Sequence, residues 1–218
     1  MSWFGGRRWE PERPRPAAQA AEEGAESALE IHRSLALAGL LAELPEESRL
    51  SVLDLGPAVG ANLEFLSARY RCRLQVADLW RSAGTHRLAD PEADPAALFR
   101  ELLPLAGGPE IDLVLAWDLL NYLRREQIRA LAEHLAPSCR PGGRLFAMVL
   151  TGREIPRQPL TYELRAGGEL VYRAAGGAIR PGPRYRPAEV DALTPGFTVD
   201  RSYLLRHGIQ EYLLVRGG

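Results

Sequence analysis

Three carboxylates and a glycine turn are the residues of this chain best spaced to do chemistry. Asp54 lies near the end of the apolar run Val52, Leu53, Leu55, where a charge beside a core is costly without a partner. Gly56 and Gly60 follow, four residues apart, and glycines let the backbone turn sharply and approach a bound molecule closely. Helical character resumes at Asn62, with Leu63, Phe65 and Leu66 on or near one face. The free N–H groups of that helix start would face the bound molecule. Asp78 comes eighteen residues after Gly60, at the end of the next expected strand. A carboxylate there can accept both hydroxyls of a ribose; a helix cap or a surface charge is the alternative. Asp118 and Tyr122 follow a third apolar run. An Asp can orient or deprotonate a nucleophile, or it can cap the next helix while Tyr122 packs against that helix. Arg180, Arg184 and Arg186, with Tyr185 among them, suit a carboxylate or phosphate on a substrate, or stand as solvated loop charges.

These groups need elements to hold them. The stretch VLDLGPAVGANLEF (52–65) reads as a buried strand, a tight turn and a helix, the strand suited to the centre of a parallel sheet. A second strand is expected at 73–77. No convincing third strand lies between 81 and 109, where Asp90 and Asp94 sit among prolines ahead of a helix at 96–103. IDLVLAW (111–117) is a clear buried strand, followed by a helix at 125–135. Pro141-Gly142-Gly143 marks a turn before a strand at 145–150. An inserted hairpin is expected at about 159–174, turning at Gly167-Gly168 and bringing Tyr162 opposite Tyr172. A short helix at 187–193 precedes Pro195-Gly196. Strands at 197–205 and 210–215, joined by Arg206-His207-Gly208, close the chain as an antiparallel hairpin. Ahead of all this, apolar residues at 28, 31, 35, 38 and 41 have a helical period that predicts a helix over 25–44, ended by Pro45.

The pattern D-x-G-x-x-x-G after an apolar strand, joined to Asp78, IDLVLAWD and the closing hairpin, resembles class I S-adenosylmethionine-dependent methyltransferases. Glycine turns also open nicotinamide-binding and other α/β domains, so those readings stay open at the motif itself. The resemblance implies an α/β, Rossmann-like, mostly parallel sheet flanked by helices and closed by the C-terminal hairpin, its third strand missing or rudimentary. It implies S-adenosylmethionine as cofactor, bound by Asp54, Gly56, Pro57, Ala58, Gly60, Asn62, Asp78, Leu79 and Trp117. Ala58 holds a position where Gly is frequent, and Trp80 follows Leu79 where the family contacts adenine. Either Asp90 or Asp94 can take the adenine-recognising role. Asp118 and Tyr122 fall where relatives line the reaction site, and Trp117 or Tyr122 can lend a ring face to a sulfonium cation. The implied reaction is methyl transfer to an unidentified, small-molecule acceptor, with no metal. Asp118-Leu-Leu-Asn121 replaces the Asn/Asp-Pro-Pro-Tyr/Phe run of enzymes that methylate amino groups of nucleic-acid bases. A non-catalytic binding protein of the same fold is the alternative. A nicotinamide-dependent oxidoreductase is a third reading, against which the closing hairpin counts.

Composition narrows the classes further. The 218 residues carry a net charge of −1, so no global basic field draws the chain to nucleic acid. All 27 basic residues are arginine, which removes Schiff-base chemistry and lysine-bearing phosphate loops. Two isolated cysteines show no metal-ligand spacing, and a reduced, cytoplasmic compartment is expected. No apolar run approaches transmembrane length. Residues 1–24 are rich in Pro, Glu, Arg and Ala and read as a disordered leader, leaving 25–218 as one methyltransferase-like domain.

Overall fold

The computed structural model describes residues 29–217 except 106, 107, 109, 174–177, 183, 184, 206 and 207. The expected leader, Arg184, Arg206 and His207 therefore lie outside the described residues. The strands are β1 (Leu29–Arg33), β2 (Arg49–Asp54), β3 (Arg71–Val76), β4 (Ile111–Trp117), β5 (Cys139–Leu150), β6 (Glu154–Pro156), β7 (Tyr162–Leu164), β8 (Glu169–Arg173), β9 (Ile179–Pro181), β10 (Phe197–Leu204) and β11 (Ile209–Arg216). The helices are α1 (Leu35–Glu43), α2 (Gly60–Arg69), α3 (Leu79–Ala89), α4 (Pro95–Leu102), α5 (Arg125–Leu135) and α6 (Val190–Leu193).

Six strands form the central sheet in the order β10-β11-β5-β4-β2-β3. β3, β2, β4 and β5 run parallel, and β11 enters antiparallel between β5 and β10. Alternation along β4 sorts its side chains by a period of two. Val114 and Ala116 join the core packed by α3, α4 and α5. Leu113, Leu115 and Trp117 join the core beneath α1, α2 and the inserted hairpin. No third parallel strand is present among the described residues. Its place in the chain is taken by α3, broken at Gly84 (φ +67°), and by α4, whose start is capped by the Asp94 carboxylate accepting from the Ala96 N–H at 2.9 Å. Asp94 is therefore spent on a helix cap.

The helix predicted over 25–44 is corrected. Residues 25–28 lie outside the described residues; Leu29–Arg33 form strand β1, and the helix begins only at Leu35. Ile31 and Leu35 are exposed, so their helical spacing did not mark a core face. Two contacts fix the break. The Ser34 hydroxyl accepts from the Leu37 N–H at 3.1 Å and caps α1. His32, buried on β1, bonds Glu211 of β11 at 3.0 Å, and the other oxygen of Glu211 accepts from the Ala36 N–H at 3.0 Å. β1 then pairs with β8, making the three-stranded antiparallel sheet β1-β8-β7. The inserted hairpin thus exists, with Tyr162 opposite Tyr172 and their rings 5.4 Å apart. Gly168 (φ +77°) is required there, because a Cβ would come within 2.6 Å of the Ala38 backbone nitrogen. The second strand runs 71–76 rather than 73–77, and the turn expected at Pro141-Gly142-Gly143 lies inside the long β5.

Candidate active site

The carboxyl ends of β2, β3 and β4 meet at one crevice, where open parallel sheets place their ligands. Gly56, Pro57, Asp78, Trp117 and Asp118 line it, and the chain from Gln158 to Thr161 crosses over it. The sequence therefore brings these five expected site residues to one place. The cavity there is about 140 Å³.

Asp54 is buried behind the turn. Its Oδ1 accepts from the Gly56 N–H at 2.9 Å and from the Trp117 indole N–H at 2.6 Å. Burial pushes the carboxyl above its ordinary range; these two hydrogen bonds pull it back, and the charge of Asp78 adds to the rise. Trp117 sits at φ +49°, a left-handed conformation that is rare for a bulky residue and that clusters at functional sites. Its ring stacks on Tyr162 (5.5 Å, 14°) and meets Phe146 edge-on. A Cβ on Gly56 would lie 2.7 Å from Trp117 Cδ1, so the missing side chain of Gly56 makes room for the indole.

Asp118 is 1 % exposed. Its Oδ2 accepts from the Leu160 N–H at 3.1 Å, while Oδ1 is buried without a hydrogen-bond partner among the described residues. Burial pushes its carboxyl up to about 7. The side chain makes no cap bond to the short 3₁₀ turn Leu119–Tyr122 that follows, so the capping alternative is not what the structure contains. Tyr122 donates to the Gln158 carbonyl at 2.8 Å. Burial, with the Asp118 charge second, raises its phenol above the ordinary value, so Tyr122 remains a protonated donor that pins the crossing segment.

The other expected residues divide between the crevice and its surroundings. Asp78 lines the crevice and also accepts from the Arg81 N–H at 3.1 Å, at the start of α3. Leu79 is buried in the core, while its neighbour Trp80 faces the crevice. Ala58 and Gly60 are exposed and outside the lining. Asn62 donates to the Tyr162 carbonyl at 3.0 Å and accepts from the Leu164 N–H at 2.7 Å, clamping β7 to α2. Asn121 similarly ties its own turn to the Met148 carbonyl and the Leu150 N–H on β5. Both asparagines thus hold elements that frame the site. The segment Gln158–Thr161 at the crevice is the start of the insert expected at about 159–174; Gln158 lies just outside it and carries no motif that marks it for the site.

The family profile described as a methyltransferase domain matches residues 29–173, a span that includes the crevice and the segment crossing it. The chain belongs to the methyltransferase domain family. Within solved structures, this methyltransferase-family chain is similar to the pyocyanin biosynthetic protein PhzM, with 18% identity and a TM-score of 0.46, over 84% of this chain and 55% of that one. It thus spans about half the length of PhzM. It is similar to 1,6-didemethyltoxoflavin-N1-methyltransferase of Burkholderia thailandensis, with 18% identity and a TM-score of 0.48, over 84% and 77% of the two chains. It is also similar to an S-adenosylmethionine-dependent methyltransferase of Mesorhizobium loti, with 16% identity and a TM-score of 0.49, over 82% and 96%. A search of the curated proteins returns no match.

Two carboxylates suit S-adenosylmethionine by their chemistry: Asp54, buried behind the turn and held by Gly56 and Trp117, and Asp78, which lines the crevice at the end of β3. The space suits it only in part. Ligand pockets run to about 300–1,000 Å³, and the indole of Trp117 fills the bend beside Gly56. Seating the whole cofactor requires Trp117 and the segment Gln158–Thr161 to shift.

Proposed function

We propose that the protein transfers a methyl group from S-adenosylmethionine to a small-molecule acceptor, using the crevice at the ends of β2, β3 and β4. The observation that carries this reading is the buried Asp118 carboxylate, one oxygen of which has no hydrogen-bond partner among the described residues, in the wall of the cavity that Gly56 and Asp78 also line. A buried acid with a raised pKa in a cleft is a candidate proton acceptor. When bound, S-adenosylmethionine would supply an electrophilic methyl group whose bonding electron pair stays with the neutral sulfur. Asp54 would hold the donor's ammonium end once the indole has shifted, and Asp78 would accept from its ribose. Asp118 takes the proton that the acceptor atom gives up. Tyr122 and Asp118 anchor the crossing segment, at Gln158 and Leu160 respectively, where it would limit water's access.

A second reading is a binding protein that kept the fold and lost the reaction, and the Trp117 indole packed on Gly56 is the observation that favours it. Incubating the full chain with methyl-labelled S-adenosylmethionine and a panel of small phenols, amines and carboxylic acids separates the two. Methyl transfer predicts a product heavier by one labelled methylene unit together with S-adenosylhomocysteine. Binding of the donor with no product from any acceptor favours the second reading. None of the described helices is long and apolar enough to cross a membrane, and we place the protein in the cytoplasm, acting on small molecules rather than nucleic acid.

A further inference from the structure

We infer that a second, larger cavity beside the crevice binds an anionic aromatic molecule, held by the Arg180 guanidinium and the rings of Trp80, Tyr122 and Tyr185. This cavity is about 470 Å³, within the range of small-molecule sites. The two cavities share Trp80 as a wall. Tyr122, which lines the larger one, bonds Gln158, which lines the smaller. Trp80 and Tyr122 meet edge to face with centroids 5.2 Å apart, leaving ring surfaces for a third aromatic group.

The charge is specific. Arg124 pairs with Glu126, and Arg125 pairs with Glu189 while lying over the Tyr185 ring. Arg180 lies over the Tyr122 ring at 5.5 Å and has no carboxylate within ion-pair distance among the described residues. It is half-buried on β9, where its Cα partner is Ile155. A planar guanidinium held against a ring and lacking an anion is suited to a carboxylate or phosphate, which it can bind through two parallel hydrogen bonds. The inference rests on the proposed function only in naming this molecule as the methyl acceptor.

The test titrates the full chain with 4-hydroxybenzoate and with phenol, reading calorimetric heat and tryptophan fluorescence. Saturable binding of 4-hydroxybenzoate is expected, weakened about tenfold or more by Arg180→Gln, with phenol unaffected by the substitution. Arg180→Lys keeps the charge and the aliphatic stem, and should fall between the two; it stands in for Arg180→Gln should that variant lose its fold. Equal affinity in the wild type and both variants would overturn the inference, as would displacement of the probe by S-adenosylhomocysteine, which would put it in the crevice instead. Arg180-dependent binding in a chain that gives no heat with S-adenosylmethionine would overturn methyl transfer and leave this site standing.

Discussion

Asp118→Asn is expected to abolish methyl transfer and, at the same time, to make the protein more stable above neutral pH. Asp118 is a buried carboxylate in the crevice wall, one oxygen of it without a hydrogen-bond partner among the described residues, and loss of a general base typically costs about 10²–10⁴ in rate. Asn keeps an acceptor for the Leu160 N–H, so the crossing segment stays in place. The stability change follows from linkage. The folded-state carboxyl is raised from its ordinary 3.8 to about 7, so the folded protein holds a proton there that the unfolded chain has already released. That contribution is fully present below about pH 4 and disappears as pH climbs through about 7, a swing of up to about 4 kcal/mol. The variant has no such slope and should unfold later than the wild type at pH 8. In the wild type, kcat/KM should rise with pH, half-maximal near 7 and levelling off above about 8. Denaturant curves at pH 5 and pH 8, with transfer rates across the same range, check all of this. A variant that still transfers methyl at the wild-type rate would remove Asp118 from the reaction.

Trp117→Gly is expected to tighten S-adenosylmethionine binding about tenfold while destabilising the fold. Truncating a buried aromatic residue costs about 3–5 kcal/mol. Part of that loss, about 1 kcal/mol, is returned because glycine adopts φ +49° without strain. Affinity should improve because the indole now takes an oxygen of Asp54 and the space beside Gly56. A ligand that must first displace a group from its site binds with an apparent affinity reduced by the fraction of competent chains. Calorimetry and thermal melting of the two proteins measure both effects. Weaker binding in Trp117→Gly would instead make the indole a wall of the occupied site, with its face toward the sulfonium.

How far the sequence leads depends on whether a residue's role is local or tertiary. The Asp54–Gly60 turn, the IDLVLAW strand and the closing hairpin are legible because apolar runs and glycines punctuate them over a few residues. The sheet follows, including the gap where a third strand would stand. The region around Ile31 misleads, because an amphipathic period there is broken by the Ser34 cap and by a His32–Glu211 bond spanning most of the chain. The site divides the same way. Asp118 and Asp78 reach the crevice because strand ends place them there. Leu79 sits between Asp78 and Trp80, which line the crevice, yet it packs into the core, and Asn62 clamps β7 instead of lining the crevice. Nothing local in Trp117 foretells that its ring would rest on Gly56.

Calorimetric titration of the full chain with S-adenosylmethionine, set beside the same titration of Asp54→Asn, tests the central claim most directly. The account predicts one saturable site per chain, a clear loss of affinity in the variant, and no heat with a nicotinamide dinucleotide. A folded protein that gives no heat with S-adenosylmethionine, or binds it equally well without the Asp54 carboxylate, would contradict it.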